Sequence, residues 1–381
     1  MNDLLNGVVR FEGVKGVGKI EVDFVPNQRV YTFIGANGVG KTKLLECLFT
    51  VLFLNLHKID CEELRFKDMP CTSVSINQKN WLCAFEIDGA DYFVIDFLDK
   101  AKLHNLPIVY LAAQSRGNIQ SNNNSIQKIG SYQQRSEKYL EKLFSVFRQP
   151  ENFKSLNMDT NLEEWIIQRA QSANPYQSKA DNRKIELDTL LSILNQIDER
   201  IDSEFLEISG DNRVFIKVSG DKRELAELSS GFTSILKMVQ SIIAGYSYFT
   251  NEQQIARVRG VVLIDEIESH LHNEWQVKII PLLKKLFPNT TFLITTHSSL
   301  VISQLEQGEA YRLKRNLDDG VVYGEVVDYP AQSSIVDLLD TAFDVDLTAE
   351  RSKWRGNREE AKAALLALLE RDDDIWEQEN E

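Results

Sequence analysis

"GANGVGKT", Gly35 to Thr42, is the stretch from which the rest of the chain is read. A glycine, four residues, a second glycine, a lysine and a threonine is the spacing of a phosphate-binding loop. The glycines let backbone N–H groups curl around phosphate oxygens, the lysine reaches the β- and γ-phosphates of a nucleotide, and the threonine hydroxyl faces Mg²⁺. The flanks suit that reading. "VYTFI" (30–34) has the apolar density of a buried strand, and "KLLECLFTVLFL" (43–54) has the length and composition of a helix whose first N–H groups face the loop. Gly35, Asn37, Gly38, Gly40, Lys41 and Thr42 are therefore the candidate nucleotide contacts, with Thr42 also a metal ligand.

A second stretch, "GVKGVGKI" (13–20), begins the same way. Its lysine is followed by Ile20, which has no oxygen to offer a cation, and "KIEVDF" (19–24) alternates apolar and polar residues like a half-buried strand. The spacing predicts a glycine-rich hairpin between "VVRFEG" (8–13) and "KIEVDF".

A phosphate-binding loop needs an acidic partner. "VVLIDEIESHLH" (261–272) carries four apolar residues that read as a buried parallel strand, with Asp265 at its carboxyl end to hold Mg²⁺ and Glu266 next to it to activate a water. "TFLITTHSSL" (291–300) repeats the pattern of an apolar strand ending in a polar cluster, and places His297 as a sensor of the terminal phosphate. His270 and His272, with Glu268, are better read as a loop or helix start than as a metal site. In "ELAELSSGFTSILKMV" (224–239), Ser229, Ser230 and Gly231 head an apolar helix, an arrangement that presents N–H groups and hydroxyls to an anion.

The order "GANGVGKT", "LSSGF", "VVLIDE", "ITTH" resembles the ABC-type ATPases, with "LSSGF" similar to their LSGGQ signature. Within them it resembles the RecF, OLD and SMC branch, and most of all the stand-alone ATPases of bacterial anti-phage operons such as Septu and related retron systems. The segment "LIDEIESHLHNEWQVKIIPLLKKLFPNTTFLITTHSSLVISQL" (263–305) carries that likeness. The resemblance implies ATP and Mg²⁺ as cofactors and hydrolysis between two heads arranged head to tail. Ser229 and Gly231 would then act on the nucleotide held by the partner's loop. It also implies a glutamine that reaches the metal. Gln114 in "IVYLAAQSRG" (108–117) is the candidate, with Gln78 in "SINQKN" (75–80) competing. "RFEGV" departs from the RecF-like "NFR" pattern in having Glu12 where an arginine is expected.

Composition sets the surroundings. The chain has 381 residues, 43% hydrophobic and 26% charged, with a net charge of −14 and a pI near 5.0, which argues against coating nucleic acid nonspecifically. Local basic patches such as "RLKR" (312–315) and "ERSKWRGNR" (350–358) leave a nucleic acid contact open. The chain has neither an apolar run long enough to cross a bilayer nor the features of a signal peptide, so a cytoplasmic location is expected. Cys47, Cys61, Cys71 and Cys83 lack metal-site spacing and read as free thiols.

The expected fold is α/β: an ABC-type head with a largely parallel core sheet, an antiparallel sheet near the amino terminus and an inserted helical lobe. Residues 1–130 form the loop-bearing half, 131–207 the lobe, 208–315 the half with signature and acidic strand, and 316–381 an extension. The lobe lacks the heptads of a long coiled-coil arm. "RGNIQSNNNSIQKIGS" (116–131) reads as a loop, and "SIVDLLDTAF" (334–343) and "REEAKAALLALLER" (358–371) as helices. Asp344 and Asp346 in "FDVDL" are solvated acids rather than a nuclease centre. These expectations describe an ATP-driven switch that forms homodimers or larger homo-oligomers and controls a separate nuclease, without a membrane. A RecF-like ATP-dependent DNA clamp is the alternative.

Overall fold

The computed structural model describes residues 6–57, 69–87, 90–95, 104–117, 119, 126, 128–174, 176–178, 180–334 and 338. "SIVDLLDTAF", apart from Ser334 and Leu338, and "REEAKAALLALLER", Asp344, Asp346, "ERSKWRGNR", Cys61, the side chain of Cys83 and most of the 116–131 loop lie outside them. Cys47 and Cys71 are buried free thiols.

In chain order, β1 (Gly7–Val14) and β2 (Gly18–Phe24) form an antiparallel hairpin, followed by β3 (Val30–Ile34) and α1 (Lys41–Leu54). β4 (Ser73–Ile76), β5 (Lys79–Ile87) and β6 (Ala90–Ile95) make an antiparallel meander before β7 (Ile108–Leu111). The helices α2 (Tyr132–Arg148), α3 (Leu162–Ser172) and α4 (Lys184–Ile197) form the lobe, and β8 (Glu207–Ile208), β9 (Val214–Val218) and β10 (Asp221–Glu224) a small separate sheet. α5 (Ser230–Ser247), β11 (Gly260–Ile264), α6 (Asn273–Gln276), α7 (Ile279–Leu286), β12 (Thr290–Thr295), α8 (Ser299–Ile302), β13 (Ala310–Arg315) and β14 (Val321–Val326) complete it.

Eleven strands join in the order β6-β5-β4-β1-β2-β14-β13-β3-β12-β11-β7. β7, β11, β12, β3 and β13 run parallel. β3, β7 and β11 are buried along their whole length, as strands covered on both faces must be. β1 and β2 alternate buried and more exposed residues and sit in the antiparallel half. The two sheets expected from the sequence are thus halves of one, joined because β14 pairs antiparallel with β13 and parallel with β2.

The chain divides into one compact unit, Met1–Gln332, and a second, Ser333–Glu381. The first extends past the boundary expected at residue 316, because β14 lies inside the sheet. The lobe is stitched to α1 by aromatic rings: Phe147 of α2 stacks on Phe49 and Phe53 at 6.1 and 5.2 Å, with Phe153 and Tyr110 edge-on to Phe49. Each such buried ring contributes roughly 2–3 kcal/mol of apolar transfer. Ser131 opens α2 with a capping box to Gln134. Among the described residues no helix is long and apolar enough to cross a membrane.

Candidate functional site

The three buried strands β3, β11 and β12 deliver their carboxyl ends to one rim of the sheet, which is where open parallel sheets bind ligands. At the end of β3 the chain turns through Gly35, Gly38 and Gly40, all with positive φ, directly into α1. A Cβ on Gly35 would stand 2.6 Å from the Leu313 carbonyl, so that position admits glycine alone, whereas one on Gly38 would meet nothing within 4 Å. Asn37 and Gly38 are exposed at the loop's crest. No side chain caps the start of α1, which leaves its first N–H groups facing the turn. Lys41 is buried and folds its Nζ back onto the carbonyls of Gly35 and Ala36, 2.9 Å from each.

Thr42 Oγ1 reaches Asp265, 3.0 and 3.2 Å from its two carboxylate oxygens. Thr295, at the end of β12, donates to the same carboxylate at 2.6 Å and accepts the N–H of Glu266 at 2.8 Å. The loop, β11 and β12 are therefore joined through two hydroxyls. Burial raises Asp265 above the usual carboxylate range, while the bonds from Thr295 and Thr42 oppose the rise. Burial also brings Lys41 down to about 8, with Asp265, Glu266 and Glu268 pulling the other way. His297, exposed just beyond β12, is lowered by desolvation and then by the charge of Lys41.

Glu266 is half-buried and adopts φ 47, a left-handed backbone that costs a residue other than glycine roughly 1–2 kcal/mol. Arg116 offsets that cost. Its guanidinium, with no exposed surface, donates to the carbonyls of Glu266 (2.8 Å), Asp265 (2.6 Å) and Leu111 (2.9 Å). Burial lowers Arg116 to about 10 against the opposing charge of Asp265, Glu268 and Glu266. Glu268 in turn accepts from Thr296 Oγ1 and the His297 N–H, both at 2.6 Å. His270 and His272 lie in the turn leading to α6. Among the described residues no group of three His, Cys, Asp or Glu side chains converges as a metal site.

The remaining sequence candidates stand apart. Gln114 is exposed on the loop after β7, and its backbone N–H bonds the Lys154 carbonyl at 3.3 Å. Gln78 sits in the β4–β5 turn with φ 65. Ser229 is the N-cap of α5, exposed, with its hydroxyl accepting from the Phe232 N–H at 3.4 Å, and Gly231 is packed against the His270 carbonyl. No hydrogen bond among the described residues ties Ser229 to the loop of its own chain.

The donor set fits a nucleotide triphosphate with a divalent cation. An uncapped helix start and a lysine suit phosphate oxygens, while three carboxylates around one lysine would repel them unless a cation intervened. The sequence reading missed Arg116 and Thr295. Arg116 stands in a polar cluster at a strand end and Thr295 beside a buried acid, but only folding reveals which carbonyl or carboxylate each meets.

The sequence profile of the family described as "AAA domain, putative AbiEii toxin, Type IV TA system" matches residues 104–303. "Septu protein PtuA" of Bacillus mycoides (strain KBAB4) is 30% identical over 149 residues, 38% of this chain and 21% of that protein. "Septu protein PtuA" of Bacillus thuringiensis is 23% identical over 362 residues, 89% of this chain and 84% of that protein. "Retron Ec83 probable ATPase" of Escherichia coli is 38% identical over 89 residues, 23% of this chain and 16% of that protein. The matched part is thus about a fifth of the B. mycoides relative and most of the B. thuringiensis one. Among solved structures, the Smc head bound to the C-winged helix domain of ScpA aligns over 86% of this chain and 99% of that one, with 13% identity and a TM-score of 0.45.

Proposed function

This chain belongs to the family described as "AAA domain, putative AbiEii toxin, Type IV TA system", and on that premise we propose that it is an ATP-binding and ATP-hydrolysing switch of a bacterial anti-phage defence complex. It acts in the cytoplasm and controls a separate effector, a nuclease. The observation that carries the reading is the bond from Thr42 Oγ1 to Asp265 Oδ1 at 3.0 Å, which joins the glycine loop to the acidic strand across 223 residues. Its likeness to Septu and retron ATPases supports the defence role.

In this reading the phosphates rest on the N–H groups of the loop, and Lys41 turns from the Gly35 and Ala36 carbonyls to the β- and γ-phosphates. Thr42, Asp265 and Gln114 would hold Mg²⁺, which when bound offsets phosphate charge. Glu266 accepts the proton of the attacking water, and His297 contacts the γ-phosphate. Arg116 and Thr295 are positioning residues that hold Asp265 and Glu266 in place. Ser229 and Gly231 act on the nucleotide of a second copy, so the working unit is a head-to-tail homodimer from which a larger homo-oligomer can be built.

The test is reconstitution. The purified chain with Mg²⁺ and ATP should hydrolyse ATP and leave plasmid and tRNA intact, with cleavage appearing once the product of the neighbouring gene is added. Nuclease activity of the chain alone would overturn the division of labour. Tight DNA binding that falls steeply with salt would favour the RecF-like clamp, against which the net charge of −14 argues.

A further inference from the structure

Away from the sheet rim, the helical lobe carries an open cavity of about 760 Å³ lined by α2 and α3, with Tyr248 at the end of α5 in its wall. Five cationic side chains line it, Lys128, Arg135, Lys138, Lys142 and Arg169, against two carboxylates, Glu141 and Glu164. Lys142 pairs with Asp159 at 3.0 Å, so five cations stand against three carboxylates at this wall. Arg135 and Arg169 are each 3% exposed in their side chains and Arg183 behind them is fully buried. Arg169 and Arg183 share one buried carboxylate, Glu186, at 3.0 and 2.5 Å, and Arg135 reaches Asp181 at 3.8 Å. Asn251 Oδ1 accepts from both Arg135 and Arg183.

Three guanidinium groups therefore meet two carboxylates, one of them distant. Three nitrogen atoms of the lining, Arg135 Nε, Arg169 Nη2 and Trp165 Nε1, are buried without a hydrogen-bond acceptor among the described residues. These nitrogens lie beneath the wall rather than on it, so what the cavity offers an anion is the positive field of the guanidinium groups together with the lysines Lys128, Lys138 and Lys142 that line it. Burial, with the like charges of Arg183 and Arg169 nearby, holds Arg135 below the usual guanidinium range even though Glu186 opposes the shift.

We propose that this cavity is a second ligand site, separate from the glycine loop, and that it takes a nucleotide. Its volume is that of pockets for ligands of roughly 300–1,000 Å³, far beyond what a lone phosphate fills. Half-buried Tyr248, stacked on Tyr139 at 4.5 Å, offers a ring for base stacking. Gln134 and Asn161, whose side-chain oxygens cap α2 and α3, keep amide N–H groups that can donate to the edge of a base. A free nucleotide and the terminus of a strand share this chemistry of recognition, and the probes below separate them. Because Tyr248 caps α5 and Ser229 begins it, one helix spans from this cavity to the signature serine.

The test uses the full chain carrying Lys41→Ala and probes that give the glycine loop no β- or γ-phosphate to hold. These are the four nucleoside monophosphates, a 5′-phosphorylated ten-nucleotide DNA strand and inorganic phosphate, each titrated calorimetrically. At least one monophosphate, or the strand, should bind with a Kd at or below about 1 mM. A Lys138→Gln, Lys142→Gln double variant, shown folded by an unchanged far-UV circular dichroism spectrum, should weaken that binding tenfold or more, while Lys285→Gln, at an exposed lysine elsewhere, should leave it unchanged. Tyr248→Ala should weaken nucleotide and spare phosphate. Tighter binding of the strand than of any monophosphate would make the source a strand terminus. The proposal is overturned if neither monophosphate nor strand binds, if inorganic phosphate binds as tightly, or if the double variant binds as well as its parent. None of these outcomes bears on ATP hydrolysis at the loop.

Discussion

The two glycine turns open alike and end in opposite roles. In the first, Lys19 lies in the β1–β2 ladder and pairs with Glu12 at 3.3 Å, both side chains 40% exposed or more. In the second, Lys41 is buried, faces three carboxylates and stands at the head of a helix. The residue after the lysine makes the difference. Ile20 turns into the core and extends the chain as a strand, whereas Thr42 turns to Asp265 and the chain coils into α1. The turns also touch: a Cβ on Gly40 would approach Val17 Cγ2 at 3.0 Å, so the first turn is a wall behind the second. A glycine-lysine spacing alone says little: of the two turns, only the second comes with a buried strand, a helix and an acid.

The sharpest way to break this comparison is to remove each lysine. Lys41→Ala should lose ATP affinity by a thousandfold or more, about 4 kcal/mol, and Lys19→Ala should change it less than twofold, because exposed ion pairs contribute little. Equilibrium binding of a fluorescent ATP analogue decides the matter, and equal losses in both variants would abolish the distinction.

Glu266→Gln extends the contrast from binding to chemistry. Turnover should fall by about 10²–10⁴, the usual contribution of a general base, while ATP affinity is retained and the ATP-bound chain accumulates as dimer or larger assembly. Steady-state kinetics with size-exclusion chromatography reads both.

A third measurement concerns the far end of the helix behind the second turn. His104 Nε2 bonds the Leu52 carbonyl at 3.1 Å, and its Nδ1 accepts the Leu106 N–H at 3.2 Å, an arrangement only the neutral ring can make. Burial brings His104 down from 6.5 to about 4. The unfolded chain thus takes up a proton near pH 6.5 that the folded chain refuses until about pH 4. The stabilisation is complete above pH 6.5 and is lost as pH falls through that window, by at most about 3 kcal/mol. Urea denaturation of wild type and His104→Gln at pH 7 and pH 5 should show a smaller loss in the variant.

The smallest effect is expected at Gly16, which has φ 77 and open space where a Cβ would go, so alanine there should cost about 1 kcal/mol. Gly35→Ala should cost several times more in the same denaturation assay, since its Cβ would stand 2.6 Å from the Leu313 carbonyl. Equal costs would mean that the second turn is no more tightly built than the first.

Much of this was legible in the chain. β3 announces itself as an apolar run into a glycine turn, and β11 and β12 as apolar runs into polar residues, because a strand covered on both faces has no room for alternation. The lobe helices show in stretches such as "EKYLEKLFSVF" (137–147), whose apolar residues recur at helical spacing. What could not be read is long-range. Arg116 serves carbonyls up to 150 residues away, and β14 enters the sheet by pairing with β2, some 300 residues earlier. Neither leaves a periodicity in its own neighbourhood. The cluster of Arg135, Arg169 and Arg183 is equally hidden, since the three are scattered in sequence and only the fold brings them together.

The strand order also has a consequence for the timing of synthesis. β3 is flanked by β12 and β13, so the loop leaves the ribosome long before either strand that will hold it. Asp265 follows Thr42 by 223 residues, a delay of roughly 10–45 s at ordinary elongation rates. Throughout that interval the nascent chain has a phosphate loop with no carboxylate to meet it. A nucleotide that needs both loop and carboxylate, as the proposed function requires, would then find its site only in the finished domain, where its binding shifts the balance against unfolding by mass action.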